Sequence, residues 1–114
     1  MNQPKSLYFP LAKAEYLLTR VAEPGKGGDK QNYWQNILGF QSAEAIRQAI
    51  LAEITIADLQ PEGDHPYGTR LVATIQINTP KGRSRSILTI WLVRFNEDIA
   101  RFITAIPIHL NKQI

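Results

Sequence analysis

The side chains able to do chemistry in these 114 residues are few: two histidines, thirteen lysines and arginines, ten aspartates and glutamates, and no cysteine. Without cysteine there is no thiol nucleophile, no thiolate zinc site and no disulfide framework. His65 and His109 stand in polar or terminal segments, outside any His-x-x-x-His or carboxylate-rich spacing, so no metal and no cofactor is assigned. The run Gly25-Lys26-Gly27-Gly28-Asp29-Lys30 has the glycines of a phosphate loop, but it lacks the Gly-Lys-Ser/Thr ending and follows a helical pattern instead of a strand. What it offers is a helix N-terminus with Lys30 in the first turn, able to hold one phosphate group, although a run of this makeup is more often a plain interhelical loop.

Positive charge is concentrated in one part of the chain. The overall surplus is three, whereas residues 69–101 set Arg70, Lys81, Arg83, Arg85, Arg94 and Arg101 against Glu97 and Asp98, a surplus of four. Five of those six are arginines, whose planar fork of donors matches phosphate and carboxylate geometry. An anionic partner such as nucleic acid, with Lys30, Arg70 and Lys81 as contacts, is one expectation; a solvated basic sheet face is the other.

Two periodicities must position these groups. Length and composition, with 44% hydrophobic and 20% charged residues, suit a single domain over 1–114, its helical part at about 10–57 and its sheet part at about 68–107. Pro10 suits a helix start, and Leu11, Ala14, Leu17, Leu18 and Val21 recur at helical spacing until Glu-Pro-Gly at 23–25. Asp29 is the expected N-cap of a second helix burying Tyr33, Trp34, Ile37 and Leu38, closed by Gly39 in a left-handed cap. Ser42 is expected to cap a third, with Ile46, Ala49, Ile50 and Ile54 buried and fraying near Thr55. Gln60 to Gly68, rich in Pro, Gly and Asp, reads as a connecting loop.

From Arg70 onward the period is two. Leu71, Ala73, Ile75 and Ile77 share one strand face, and Arg83 to Arg94 is apolar on both faces in its middle, as a central strand should be. A third strand is expected over Arg101–Ile106, ended by Pro107. The fold class is therefore α+β, N-terminal helices packed on a C-terminal antiparallel meander sheet of three to four strands. The longest apolar stretch, Ile87 to Val93, is broken by Thr89 and is too short to span a membrane. The first thirty residues lack a secretory pattern, which gives a cytoplasmic expectation.

Three blocks together resemble a family of small uncharacterised bacterial domains. They are Lys13-x-x-Tyr16-Leu17-Leu18, then Lys30 with Leu38-Gly39-Phe40, then a C-terminal block. That last block runs Pro66-Tyr67-Gly68-Thr69-Arg70, Gly82-Arg83, Thr89-Ile90-Trp91-Leu92-Val93 and Arg101-Phe102-Ile103-Thr104-Ala105-Ile106-Pro107. The helices-then-sheet order with a Thr-Ala-x-Pro ending looks, in turn, like the ribonuclease-toxin fold shared by barnase, EndoU, the RNase colicins and RelE. Fold alone does not establish activity.

That second resemblance implies RNA as substrate and metal-independent cleavage, in which a ribose 2′-hydroxyl attacks the adjacent phosphate and leaves a cyclic phosphate end. Cations must meet the charge on the phosphorane, one group must accept the 2′ proton and another must protonate the leaving oxygen. Arg83 and Arg85 on one strand face, with Arg70 approaching from the neighbouring strand, are the candidates for phosphate stabilisation, complemented by Lys30. Thr104 stands where the resemblance puts a hydroxyl that positions a phosphate oxygen. His65 is the candidate for proton transfer, with no spacing that fixes the base. Each has an ordinary reading too: Thr104 as a strand former, Arg70 in a surface ladder, His65 in a solvated loop. Trp34 and Trp91 fall on apolar stripes and are expected in the core. Two other function classes stand beside this one. The first is an interaction, adaptor or immunity-type module with a protein partner or a second copy of itself; the second is a nucleic-acid binder without catalysis.

Overall fold

The structure is a computed structural model that describes residues 3–19 and 31–108. A short strand β1 (Ser6–Tyr8) leads through Pro10 into helix α1 (Leu11–Thr19), whose first turn is closed by the Lys13 N–H donating to the Pro10 carbonyl at 3.0 Å. A π-helical turn follows at Asn32–Ile37, then helix α2 (Ala43–Glu53) and a 3₁₀ turn at Ile56–Asp58. Strands β2 (Gln60–His65), β3 (Gly68–Asn78), β4 (Ser84–Arg94) and β5 (Ile99–Pro107) complete the chain. Among the described residues no helix is long and apolar enough to cross a membrane.

The helix signals act where their chemistry places them. Ser42 Oγ accepts the Ala45 N–H at 3.1 Å, a cap worth about 1 kcal/mol, and Gly39 takes the left-handed φ of +86° after the π-helical turn. Instead of fraying, α2 stops at Glu53, and Thr55 opens the 3₁₀ turn with its N–H and hydroxyl both donating to the Asp58 carboxylate. Tyr33 is only half-buried and Ile37 is exposed, because the π-helical winding departs from the α spacing that would put both on one stripe with Trp34 and Leu38. Leu11, at the start of α1, is likewise exposed. The expected cap at Asp29 and the Lys30 that follows it lie outside the described residues.

The sheet has five strands in the order β1-β5-β4-β3-β2, with β1 parallel to β5 and every other pair antiparallel. It is therefore a mixed sheet, and the expected meander of three to four strands is its larger part. The segment expected to be a loop, Gln60–His65, is an edge strand. Pro61, Glu62 and Asp64 are tolerated there because an edge offers one unpaired side, and the register shift between Pro61 and Asp64 accommodates Gly63 at φ +92°. Three residues are too few for β1 to show a periodicity. The expected central strand, β4, is central.

One buried cluster joins the helical and strand parts. Ala14 and Leu17 of α1, Trp34, and Ile46 and Ile50 of α2 belong to it together with Leu71, Ala73, Ile75, Ile87, Trp91 and Phe102 from one face of the sheet. Each large apolar side chain there adds about 2 kcal/mol by leaving water. Phe9 stacks on Phe102 with centroids 3.9 Å apart, and Trp91 meets Phe102 edge-on at 5.2 Å. Thr89 is fully buried among them. Its hydroxyl accepts from Trp91 Nε1 and donates to the Ala73 carbonyl, both at 2.8 Å, so the side-chain polar groups of Thr89 and Trp91 are satisfied. Both tryptophans are buried, as their stripes require.

Candidate functional site

The site-forming part of the molecule is the opposite sheet face. Strand register puts Arg70, Val72 and Thr74 of β3 beside Leu92, Ile90 and Leu88 of β4, and these beside Arg101, Thr104 and Ile106 of β5. Thr104 belongs to this face only because of an irregularity. Ile90 pairs with Thr104 but Trp91 pairs with Phe102, so Ile103 is an extra residue in β5. Simple alternation would place Thr104 on the side of Phe102, in the core; the bulge turns it to the other side and leaves Ile103 exposed.

Three hollows meet at Ile103. A groove of about 610 Å³ runs between α1 and β5, lined by Ala12, Lys13, Tyr16, Ile103 and Thr104. A second hollow of about 310 Å³ is bordered by His65, Arg70, Ile90, Leu92 and Ile103. A third, of about 240 Å³, lies between them against Tyr8, Lys13, Arg94 and Arg101. The floor is aliphatic and the rim carries cations and hydroxyls, the general make-up of a ligand site.

Within the groove, Thr104 Oγ1 is buried and has no hydrogen-bond partner among the described residues. A buried hydroxyl left unpaired costs about 1–3 kcal/mol, so this one is a structural expense that packing does not explain. Trp34 Nε1 is unpartnered as well, but its residue is enclosed in the core.

The cations of this face differ in what holds them. Arg101 donates through Nε and Nη2 to the two Glu97 oxygens at 3.0 and 3.1 Å and lies 5.2 Å from the Tyr8 ring centre. The Arg101 hydrogen bond holds the Glu97 carboxyl below the usual carboxylate range, and the same bond raises the Arg101 guanidinium. Arg70 stands 3.5 Å from Glu62. Among the described residues, neither Lys13 nor Arg94 makes an ion pair. Lys13 and Arg94 are thus free of a direct ion pair, although the charge of Arg94 helps to lower the Glu97 carboxyl.

His65 is the last residue of β2, not a loop residue, and it enters the two-residue hairpin Pro66-Tyr67. Its Nδ1 accepts the Tyr67 N–H at 3.1 Å. In the neutral ring the proton is then on Nε2, and the side chain borders the hollow that Arg70 also lines. Gly68 closes this hairpin without a side chain because a Cβ there would collide with the Val93 carbonyl oxygen of β4.

The remaining sequence candidates lie elsewhere. Arg83 sits exposed in the β3–β4 turn, where the Thr79 N–H and hydroxyl both donate to its carbonyl at 3.1 and 2.8 Å. Arg85 opposes Ile77 on the core side of β4, and its charge offsets part of the rise that burial imposes on the Tyr33 hydroxyl pKa. Lys81 lies with its aliphatic stem over Gly39, whose added Cβ would come within 2.9 Å of Lys81 Cγ. Arg70 does not approach Arg83 and Arg85. It lies on the opposite face and seven residues along β3 from Ile77, roughly 23 Å away. Sequence reasoning named Thr104, His65 and Arg70, which the fold brings to one face, and missed Lys13, Tyr16, Arg94 and Ile103 as lining residues. The signal for the first two was Lys13-x-x-Tyr16, an i,i+3 pair off the apolar stripe of α1.

Among the described residues no group of three or more His, Asp or Glu side chains could hold a metal ion. No curated protein and no solved structure matches this chain. A family model does match, over residues 9–109, a span holding α1, the Thr104 bulge and all three hairpins, and the chain accordingly belongs to the family of domains of unknown function DUF6883.

Proposed function

We propose that this domain binds RNA across the sheet face that bears Thr104 and cleaves its backbone by attack of a ribose 2′-hydroxyl on the neighbouring phosphate. The helices, on this reading, cover one sheet face and leave the other to the ligand, as in the ribonuclease-toxin fold that the sequence resembles. The observation that carries the reading is the buried, unpartnered Thr104 hydroxyl in a groove bordered by Lys13, a cation without an ion pair among the described residues.

The roles follow from position. Rotation about χ1 brings Thr104 Oγ1 to a non-bridging phosphate oxygen, where it gains the partner it lacks. Lys13 meets the extra negative charge that develops on phosphorus, and Arg94 and Arg70 hold the flanking phosphates. The 2′-oxygen forms its bond to phosphorus as the bond from phosphorus to the 5′-oxygen breaks. The 2′ proton passes to solvent, to which the groove is open, and the leaving oxygen takes a proton from the same solvent. A cyclic phosphate and a free 5′-hydroxyl result.

The test is incubation of purified protein with mixed transfer and ribosomal RNA in chelator, beside Thr104→Val, followed by end-group analysis. Cleavage to cyclic-phosphate ends that Thr104→Val abolishes is the expected result. Absence of cleavage, or cleavage indifferent to Thr104, overturns the proposal. A second reading, a protein-binding module, draws on Tyr67 and Phe95, the most exposed large apolar side chains described. Binding that persists in high salt would favour it, since phosphate contacts weaken steeply with added salt.

A further inference from the structure

Beyond the hollow of His65 and Arg70, at the end of the sheet where the β2–β3 hairpin meets the end of β4, lies a feature that the cleavage chemistry does not use. Tyr67 and Phe95 are 68% and 63% exposed, more than any other large apolar side chain described. Single exposed apolar residues are ordinary, but these two border one hollow of about 450 Å³, together with Pro66, Leu92 and Arg94. Their backbones are tied to each other. The Phe95 N–H donates to the Tyr67 carbonyl at 3.1 Å, and the Tyr67 N–H donates to His65 Nδ1 at the same distance. Gly68 lets β4 run against the hairpin with no side chain between them. The rings are thus carried on fixed backbone while their faces stay in water, and the His65 ring stands 5.3 Å from that of Tyr67.

We infer that this hairpin end is a nucleobase subsite, in which an unpaired base of single-stranded RNA stacks on Tyr67 and Phe95. The inference rests on the RNA reading above and narrows it to a substrate class. Charge selects the occupant. Arg94 borders the aromatic hollow, makes no ion pair among the described residues, and is where a phosphate joined to the stacked base would be met. Leu92 lines this hollow as well as that of His65 and Arg70, so one continuous strand can lay a base on the aromatics and its phosphate beside His65. A base inside a duplex has its faces covered by its neighbours and cannot be taken up this way.

The experiment uses two uncleavable probes of equal length and charge, a 2′-O-methyl adenylate octamer and the same backbone without bases, with binding followed by fluorescence anisotropy. The wild-type protein is expected to bind the base-bearing octamer about tenfold tighter, the scale of one stacked base. The Tyr67→Ala/Phe95→Ala variant should lose that preference yet keep its affinity for the bare backbone, with an unchanged melting temperature because both side chains are exposed. Equal wild-type affinity for the two probes, or a preference that survives the double substitution, overturns the subsite and leaves the RNA reading standing. Failure of the wild type to bind either probe overturns both, and assigns the aromatic pair to a protein contact.

Discussion

The two ends of the same sheet carry similar charge and differ in everything else. At the β3–β4 turn, Lys81, Arg83 and Arg85 gather beside Gly39 and Tyr33, with Arg85 on the core side of β4. At the hairpin end, Arg70, Arg94 and His65 surround connected hollows that run past Ile103 to Lys13 and Thr104. Density of basic residues in the sequence favours the first end, where Lys81, Arg83 and Arg85 fall within five positions. Concavity, an unpartnered hydroxyl and exposed rings favour the second. Charge along a chain finds a field, whereas a site also needs a surface that surrounds its ligand and donors that are not already used.

The comparison breaks most readily at Thr104. Thr104→Val keeps the shape and removes the hydroxyl, and it should lower RNA cleavage by about a hundredfold, the scale of losing one transition-state donor, while Arg83→Ala/Arg85→Ala lowers it less than about threefold. If the arginine pair costs more than Thr104, the site belongs at the turn. The same Thr104→Val protein should be as stable as wild type or more so by about 1 kcal/mol in urea titration, because a buried hydroxyl without a partner is removed. Loss of activity together with stability would instead mark Thr104 as packing.

Backbone geometry gives the next effect. Gly68→Ala pushes a Cβ into the β4 backbone and should destabilise by about 3 kcal/mol, whereas Gly82→Ala, strained by its φ of +87° but facing open space, should cost about 1 kcal/mol. Comparable losses in denaturant midpoint would deny the hairpin end its special closeness of strands. Lys13→Ala should then reduce cleavage about tenfold without a change in melting temperature, as expected for an exposed cation that acts on the ligand.

The smallest effect concerns the Glu97–Arg101 pair. The native Glu97 carboxyl lies below its ordinary range, so the pair's contribution is complete above that range and disappears as pH falls through the lowered native value. The stability difference between wild type and Glu97→Gln should be slight near neutrality and vanish on acidification, since both side chains of the pair keep contact with water. A difference that grew in acid would contradict the assigned direction.

Much of the fold is legible in local pattern because its causes are local. Alternation of Leu71, Ala73, Ile75 and Ile77 states which side of β3 is buried, the doubly apolar middle of β4 states that it is central, and Ser42 and Gly39 act within a turn of themselves. What was not legible depends on partners distant in sequence. Gln60–His65 reads as loop because Pro, Gly and Asp disfavour strands in general, and an edge beside β3 is a place that tolerates them. Ser6–Tyr8 becomes a strand only because Ile99–Arg101 is there to receive it.

The candidate site divides along the same line. From sequence alone come the residue types: a hydroxyl at 104, a histidine at 65, a surplus of arginines, and no thiol for other chemistry. Tertiary structure alone decided which of them meet. The pairing of Leu71 with Trp91 puts Arg70 and Arg85 on opposite faces, the extra residue Ile103 turns Thr104 out of the core, and the path of α1 beside β5 brings Lys13 to it. The physical reason is that a side chain's face is set by register, and register is a property of two strands together, which neither strand's own residues can specify.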